Sequence, residues 1–329
     1  MSFRISPAWW PVLVPAVPVA APLLFLRNQR FRKNQATALK HNGDLILRTG
    51  RVDLPELEFI ELTVLVEEKT APGFSGEAGV SYLFRTDQGS LLFDLGFGAE
   101  GQALVPNIQK LGISLSDIDA VAISHLHLDH MGGMKAQKAR TVMIPEELEP
   151  REGTECFVPE QAQAPGLSPC VVEGPRILSA GIASTGPLAV SLFFFGLTME
   201  QSLVARLRGR GLVVFTGCGH PGIKNILAMV KSMSCERVYA IGGGLHFPIT
   251  GSRIRRAGLN LQTFMGTGRP PWKRITDLDL DQAITEINEP GPQKVLLSAH
   301  DTCDHAIERM QAELDAEVEL LEAGAKYVL

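Results

Sequence analysis

The chain of 329 residues is long enough to form one large domain or two small ones. Its hydrophobic share of 45% and charged share of 20% are those of an ordinary folded protein, which excludes a largely disordered chain. The net charge is −5 and the body of the chain has no long run of lysine or arginine, so no nucleic acid is expected as substrate or partner.

The first 34 residues form an N-terminal hydrophobic segment. Within it, residues 9–26 carry no charged side chain, and four basic residues follow: Arg27, Arg30, Arg32 and Lys33. Eighteen helical residues rise about 27 Å, near the lower limit for crossing a bilayer. Prolines at positions 11, 15, 18 and 22 disfavour a helix in water but are better tolerated in a membrane.

Three interpretations of residues 9–26 stay open. We favour a single membrane anchor over a segment that lies on a membrane surface or docks on the rest of the protein. A cleaved signal is disfavoured because its positive charge should precede the apolar run. If residues 9–26 span a membrane, the basic residues behind them place the main domain in the cytoplasm. Without an anchor, a cytoplasmic location is expected.

Residues 35–60 are predicted to connect this segment to a main domain at 61–329. The domain opens with a strand at 61–66, hairpin strands at 79–84 and 90–93, a helix at 104–111 and a buried strand at 120–123. Residues 144–174 are rich in Pro, Glu and Gly. They are predicted to run over the surface above the candidate metal site described below. Further strands are predicted at 190–195, 212–215, 238–241 and 295–298, and further helices at 223–233 and 302–314.

Strands followed by helices in each half predict two sheets packed face to face, with helices outside. The alternative is a doubly wound parallel sheet of the Rossmann type. That alternative is disfavoured because no Gly-x-Gly-x-x-Gly element follows the first strand.

The five cysteines are odd in number and widely spaced, which predicts no disulfide framework. Reduced thiols are the simpler interpretation and favour a cytoplasmic location. A disulfide between Cys156 and Cys170 stays open.

Four metal-binding side chains stand within six residues directly after the predicted strand at 120–123: His125, His127, Asp129 and His130. Two imidazoles one residue apart can clamp one cation, while the adjacent carboxylate and imidazole face a second. Burying so many polar groups without a ligand is costly, so the run predicts a metal site. Carboxylate and imidazole ligands favour zinc, with iron and manganese as alternatives. His220 and His300 are distal candidates, because each also follows a predicted strand.

The run His-x-His-x-Asp-His at 125–130 resembles the signature of the metallo-β-lactamase superfamily of metallohydrolases. Further motifs follow the superfamily's order: Leu-Leu-Phe-Asp-Leu-Gly at 91–96, Thr-Gly-Cys-Gly-His at 216–220 and Gly-Gly-Leu-His at 243–246. The last two are similar to motifs of the branch that includes the dihydropterin–ribofuranosylaminobenzene-phosphate synthase-like proteins. The resemblance begins near Leu62 and implies an α/β fold, the four-layer αββα sandwich, for residues 61–329.

The resemblance also implies a site with two divalent metal ions. One ion would be held by His125, His127 and His220, and the other by Asp129, His130 and His300. A bridging water or hydroxide is the expected nucleophile, because two cations lower its pKa. Asp129 would direct that nucleophile and is the candidate catalytic residue.

Four more residues are candidates for the site or its surroundings. Asp94 would fix a ligand imidazole through a carboxylate–histidine bond, with a turn or helix cap as the alternative. Cys218 stands where many members have a metal-bridging aspartate; we favour a packed small residue over a thiolate ligand. Asp301 replaces the cysteine of the branch's His-Cys-Thr-Gly element and is a candidate metal or substrate ligand. His246 is placed in the site, against a metal or a substrate phosphate.

Residues 266–274 combine glycines, prolines, one tryptophan and three cations. They are interpreted either as a cover over the site that binds an anion or as an ordinary exposed loop. His305 falls on a predicted helix and is expected at the surface.

The favoured function is that of a metallo-β-lactamase-fold hydrolase acting on a small, anionic ester or phosphoester. The alternative is a pterin-type synthase or transferase, as the branch resemblance implies. A third hypothesis is a membrane-tethered binding module with a closed structural metal site. A redox di-iron role is disfavoured because His127 replaces the glutamate that flavodiiron proteins have at that position.

Overall fold

The computed structural model describes residues 10–256 and 259–329. The helices in these ranges are α1 (Trp10–Arg48), α2 (Leu104–Leu111), α3 (Met134–Ala139), α4 (Ile223–Met233), α5 (Asp277–Asn288) and α6 (Asp304–Glu313). The strands of the first half are β1 (Glu56–Leu57), β2 (Ile60–Val66), β3 (Ser81–Thr86), β4 (Gly89–Phe93), β5 (Ala120–Ala122), β6 (Glu155–Val158) and β7 (Ser168–Val171). Those of the second half are β8 (Arg176–Ser179), β9 (Ile182–Ser184), β10 (Leu188–Leu192), β11 (Gly196–Glu200), β12 (Leu203–Leu207), β13 (Gly211–Thr216), β14 (Val238–Gly243), β15 (Arg255–Arg256), β16 (Leu259–Asn260), β17 (Lys294–Leu297), β18 (Glu317–Leu320) and β19 (Lys326–Val328).

Two sheets contain most of these strands. The first has the order β19-β2-β3-β4-β5-β6-β7, so the chain's last strand returns to pair with its first long strand. The second has the order β18-β17-β14-β13-β12-β9-β8, with β1 also paired to β12. In the second sheet β13, β14, β17 and β18 run parallel. Two short pairs, β10–β11 and β15–β16, stand outside both sheets.

The two sheets pack face to face and helices cover their outer faces. Between the sheets, the ring of Phe215 meets Phe84 edge-on, with centroids 4.9 Å apart. Leu104 and Ile108 of α2 belong to the apolar cluster on the outer face of the first sheet. Helices α4, α5 and α6 contribute the corresponding cluster on the second sheet. This is the layered α/β architecture that the sequence predicted.

Helix α1 packs on the β10–β11 hairpin and continues well beyond the predicted hydrophobic segment. The Asn42 side chain donates to the carbonyl of Ala189 at 2.9 Å and accepts from its N–H at 2.7 Å. Residues 35–48, predicted as part of a connector, are therefore helical. Within residues 10–256 and 259–329, no helix combines the length and apolar character needed to cross a bilayer. Positions 1–9 of the predicted segment lie outside the described residues, and the division at 34 and 60 stays a prediction.

The prediction for residues 144–174 was wrong. This stretch does not run over the surface above the site, because β6 pairs with β5 and β7 pairs with β6 at the edge of the first sheet. Cys156, Phe157 and Val158 are fully buried. Their apolar side chains pack in the layers on either side of the sheet, and this outweighs the polar composition of the surrounding loops.

Candidate metal centre

The candidate ligands follow strands that end at the same side of the sandwich. The run 125–130 comes directly after β5, Cys218 and His220 follow β13, His246 follows β14, and His300 follows β17. Because β13, β14 and β17 are parallel, their carboxyl ends meet at one edge of the second sheet. Gly217 permits the close approach of Ser124, which follows β5, since a Cβ atom at 217 would lie 2.3 Å from the Ser124 hydroxyl.

One group of ligand atoms belongs to His125, His127 and His220, all within 4.8 Å of one another. The ring centroids of His125 and His220 are 5.0 Å apart, and those of His127 and His220 are 5.3 Å apart. The three imidazoles that the resemblance assigned to the first ion are thus brought together.

A second group contains Asp129, His130, Cys218 and His300, again within 4.8 Å of one another. The Cys218 Sγ lies 3.1 Å from His130 Nε2 and 3.3 Å from His300 Nε2. An Asp129 oxygen lies 3.7 Å from the same His130 nitrogen. The group contains the three residues assigned to the second ion, and Cys218 stands between two of them.

Several buried nitrogens in these groups have no hydrogen-bond partner within the described part of the chain. They are His125 Nε2, His127 Nε2, both ring nitrogens of His220, and His246 Nδ1. Buried polar atoms are almost always paired, because leaving one unpaired costs about 1–3 kcal/mol. Imidazole nitrogens that converge with a carboxylate and a thiol suit a first-row divalent ion. The residues therefore fit the metals that the superfamily implies.

Burial also keeps most of the imidazoles neutral. It lowers the pKa of His127 and of His300 to about 4, and that of His125 and His220 well below the ordinary value. A neutral imidazole retains the lone pair that a metal requires. At neutral pH these side chains are ready to bind a cation without first losing a proton.

Asp94 holds His130 in place. Its carboxylate lies 2.7 Å from His130 Nδ1 and also accepts from the Ser124 N–H at 2.6 Å and hydroxyl at 2.7 Å. Burial alone would lower the pKa of His130, but the carboxylates of Asp94 and Asp129 outweigh it and raise this pKa to about 9. Asp94 has a left-handed backbone, φ 63°, at the end of β4, where it caps no helix. These contacts are those expected of a residue that orients a ligand imidazole.

A corresponding support for His300 was not predicted from the sequence. The Ser298 hydroxyl lies 2.5 Å from His300 Nδ1 and donates to the Glu67 carboxylate at 2.5 Å. Glu67 also accepts from the Tyr82 hydroxyl at 2.9 Å. Because Glu67 is 233 positions from His300 along the chain, no local motif joins the two.

Glu200 was also missed, although it supports the loop that carries Cys218 and His220. Its carboxylate accepts the backbone N–H groups of Cys218, Gly219 and His220 at 3.1, 2.7 and 3.0 Å. Glu200 is itself fully buried. Three backbone donors, two of them buried and one partly buried, therefore depend on one side chain from β11.

We predict that Glu200→Ala lowers the free energy of unfolding of the metal-free protein by about 3 kcal/mol, since each unpaired buried donor costs about 1–3 kcal/mol. Urea unfolding followed by circular dichroism measures the change. Glu236→Ala is the control, because Glu236 is exposed. A loss below about 1 kcal/mol in Glu200→Ala would show that the loop does not depend on this carboxylate.

His246 and Asp301 both reach the cluster. His246 forms a third grouping with Cys218 and His220 within 4.8 Å, and its backbone is left-handed, φ 56°. An Asp301 oxygen accepts the His246 N–H at 3.1 Å and lies 3.6 Å from His300 Nε2. Asp301 therefore binds the backbone of His246 and lies beside the His300 nitrogen that faces Cys218. His305 was predicted at the surface, and it lies there on α6, hydrogen-bonded to Asp277 at 2.6 Å. All five cysteines carry free thiols.

The loop at 266–274 lies against the cluster. Gly266 packs so closely that a Cβ atom there would lie 2.7 Å from His246 and 3.1 Å from His220. A cavity of about 200 Å³ opens beside these histidines and is lined by Thr267 and Arg269 of the loop. The Arg269 guanidinium pairs with Asp279. Of the two interpretations left open for this loop, the contacts favour a cover over the site.

Comparisons with known proteins give matches in both sequence and structure. The Metallo-beta-lactamase superfamily profile matches residues 75–155. From Methanocaldococcus jannaschii, 7,8-dihydropterin-6-methyl-4-(beta-D-ribofuranosyl)-aminobenzene-5'-phosphate synthase is 24% identical over 244 residues, which are 61% of this chain and 81% of that protein. The crystal structure of Tm1679, a metal-dependent hydrolase of the β-lactamase superfamily, has a TM-score of 0.58 and 24% identity, covering 82% of this chain and 98% of that one. The metallo-β-lactamase fold protein YhfI from Bacillus subtilis has a TM-score of 0.49 and 15% identity, covering 83% of this chain and 100% of that one.

The first structural comparison shows a shared fold, and the profile match includes the run at 125–130. Together they confirm the resemblance predicted from the motifs: this chain is similar to the metallo-β-lactamase superfamily in sequence and has its layered fold.

Proposed function

We propose that the protein is a metal-dependent hydrolase that uses two divalent ions, zinc being preferred, on a small anionic ester or phosphoester. The observation that carries this proposal is the convergence of two adjacent groups of buried ligand atoms, drawn from β5, β13 and β17. A structural metal site would need only one such group. Two groups side by side are typical of hydrolytic sites.

One ion would be held by His125, His127 and His220. The other would be held by Asp129, His130 and His300, and Cys218 lies between His130 and His300. When bound, the ions would polarise a substrate oxygen and lower the pKa of water. Asp129 supplies the carboxylate of the second group of ligand atoms. Its side chain is 14% exposed, whereas His130 and His300 are fully buried. Asp129 would orient the attacking water and accept its proton.

The surroundings support a small substrate. The cavity beside His220 and His246 is only about 200 Å³ in volume. The charge of the two ions would favour an anionic group there. Asp94 and Ser298 would keep the imidazoles of His130 and His300 in fixed orientations, which is what a preorganised site requires.

We predict that the purified protein contains two divalent ions per chain and that chelation abolishes its hydrolytic activity. Elemental analysis gives the metal content, and a panel of lactones, thioesters and phosphoesters identifies the substrate class. Zinc, manganese and iron, each added back, show which ion restores turnover. Full activity in the chelated protein would contradict the proposal.

His220→Ala is expected to bind fewer ions than the unchanged protein, because it loses one of the three imidazoles of the first group. His305→Ala is the matched control, since His305 lies on α6 with 38% of its side chain exposed. An unchanged metal content in His220→Ala would remove His220 from the ligand set.

A second candidate function is a pterin-type synthase or transferase. It is favoured by the Methanocaldococcus jannaschii relative, a synthase of a dihydropterin aminobenzene phosphate that is 24% identical over 244 residues. There the same residues would bind a phosphorylated partner for bond formation between two substrates. Product analysis with and without an amine or aryl acceptor separates the two functions, since only a synthase forms a product containing both partners.

A further inference from the structure

An aromatic cluster, which we call the aromatic rim, reaches from the metal cluster to the protein surface. It consists of Phe193, Phe194 and Phe195 in the turn between β10 and β11, and of Trp272 in the loop at 266–274. The Phe195 ring lies 4.7 Å from the His127 ring, and the Phe193 ring 5.4 Å from Trp272. Phe194 and Trp272 have exposed fractions of 37% and 57%. The rim therefore joins a candidate metal ligand to the protein surface.

Helix α1 is attached to this rim. Arg27 Nε donates to the Phe193 carbonyl at 2.8 Å. The guanidinium also donates to the Phe194 carbonyl, and it lies 5.2 Å from the centre of the Phe194 ring. Leu23 and Leu24 are four and three positions before Arg27, so they share its side of the helix. The exposed leucines before Arg27 therefore stand on the side of α1 that meets the rim.

Exposed apolar side chains are concentrated on this combined surface. Fourteen large hydrophobic side chains are exposed in the described part of the chain. Seven of them lie at 23–26 on α1, in the rim or two residues from it along the chain: Leu23, Leu24, Phe25, Leu26, Phe194, Leu197 and Trp272. Single exposed hydrophobic residues are ordinary, but a contiguous apolar patch marks an interaction surface.

The charge beside the patch indicates what the surface contacts. The first 43 residues contain six lysines and arginines and no acidic residue, although the whole chain has a net charge of −5. Arg30, Arg32 and Lys33 are exposed on α1 directly after the apolar side chains. Helices that lie at the surface of anionic membranes combine leucine, phenylalanine and tryptophan with a basic cluster.

We propose that α1 and the aromatic rim dock on an anionic lipid bilayer. Phe194 and Trp272 would enter the headgroup region while Arg30, Arg32 and Lys33 contact anionic headgroups, so that the metal cluster opens toward the membrane. The proposal concerns a surface outside the metal cluster and does not depend on the proposed hydrolysis, because binding is measured without turnover.

The test uses the full chain with Trp9→Phe and Trp10→Phe, which leaves Trp272 as the only tryptophan. Vesicles of phosphatidylcholine with phosphatidylglycerol are expected to bind the protein and to shift the Trp272 emission to the blue. Vesicles of phosphatidylcholine alone should bind more weakly, and salt should weaken binding to the anionic vesicles. An unchanged Trp272 emission on bound protein would overturn the docking of the rim.

Two pairs of variants separate the contributions of charge and apolar contact. The variant Arg30→Glu with Lys33→Glu should weaken binding at least about 10-fold, whereas Lys224→Glu with Lys231→Glu, an equal charge change on α4, should not. Phe194→Asp should weaken binding, whereas Leu278→Asp, at a position 79% exposed outside the surface, should not. Equal behaviour within either pair, or self-association instead of vesicle binding, would overturn the proposal.

Discussion

Asp129→Asn is expected to lower kcat for the substrate found in the hydrolysis screen by about 10³-fold, within the range for loss of a positioned general base. The amide has nearly the same shape as the carboxylate but has no charge and cannot accept a proton from water. The side chain is the partly exposed member of its ligand group, with an oxygen 3.7 Å from His130 Nε2, so the change removes a negative charge beside the proposed metal site. Steady-state kinetics at saturating metal give the size of the effect.

Metal analysis of the same variant shows how Asp129 acts. If Asp129→Asn keeps both ions, the loss of kcat comes from orientation of the nucleophile, and if it loses one, Asp129 is also a ligand. Asp315→Asn is the control, because Asp315 is exposed after the end of α6 and should retain full activity. Hydrolysis at the unchanged rate in Asp129→Asn would refute its proposed catalytic role.

The candidate ligands could be predicted because each is marked by a local sequence pattern. A run of four metal-binding residues follows β5, and His220 and His300 each follow a strand of buried apolar residues. Parallel strands bring such positions to one edge of a sheet, so strand ends in the sequence become neighbours in space. Helices α2 and α4 were predicted at their observed bounds for a similar reason, since apolar residues recur there at helical spacing.

The supporting residues could not be predicted in this way. Glu67 contacts His300 through Ser298, although the two lie more than 200 residues apart in the sequence. Glu200 binds backbone groups, which have no sequence signature. Asp94 was identified only because the superfamily resemblance pointed to it. Partners that act through tertiary contacts become visible only when the sheets are assembled.

Helix α5 is a different case, because its signal was present and was overlooked. Thr276 and Asp279 form a capping box, in which each side chain binds the backbone of the other. Such a pair before apolar residues at helical spacing predicts a helix start. Strand β6 was not predicted because its sequence signal is weak: its short apolar run lies among polar loop residues.

Cys218→Ser is expected to weaken binding of one of the two ions by at least about 100-fold, the upper end of the loss seen when a residue that only supports a metal ligand is removed. The sequence favoured a packed small residue at this position. In the structure its sulfur lies within 3.3 Å of ring nitrogens from both His130 and His300. A sulfur placed among imidazole nitrogens is a far better metal ligand than a hydroxyl, because thiolates bind first-row ions strongly.

Cobalt substitution tests this directly. The cobalt-loaded protein should show a thiolate-to-cobalt charge-transfer band in the near ultraviolet, and Cys218→Ser should lose it while Cys235→Ser, at an exposed cysteine, retains it. Addition of a divalent ion should also protect Cys218 from alkylation, because a coordinated thiolate is not free to react. If the band is absent from the unchanged protein, Cys218 only packs between two imidazoles, and three ligands without sulfur hold the second ion.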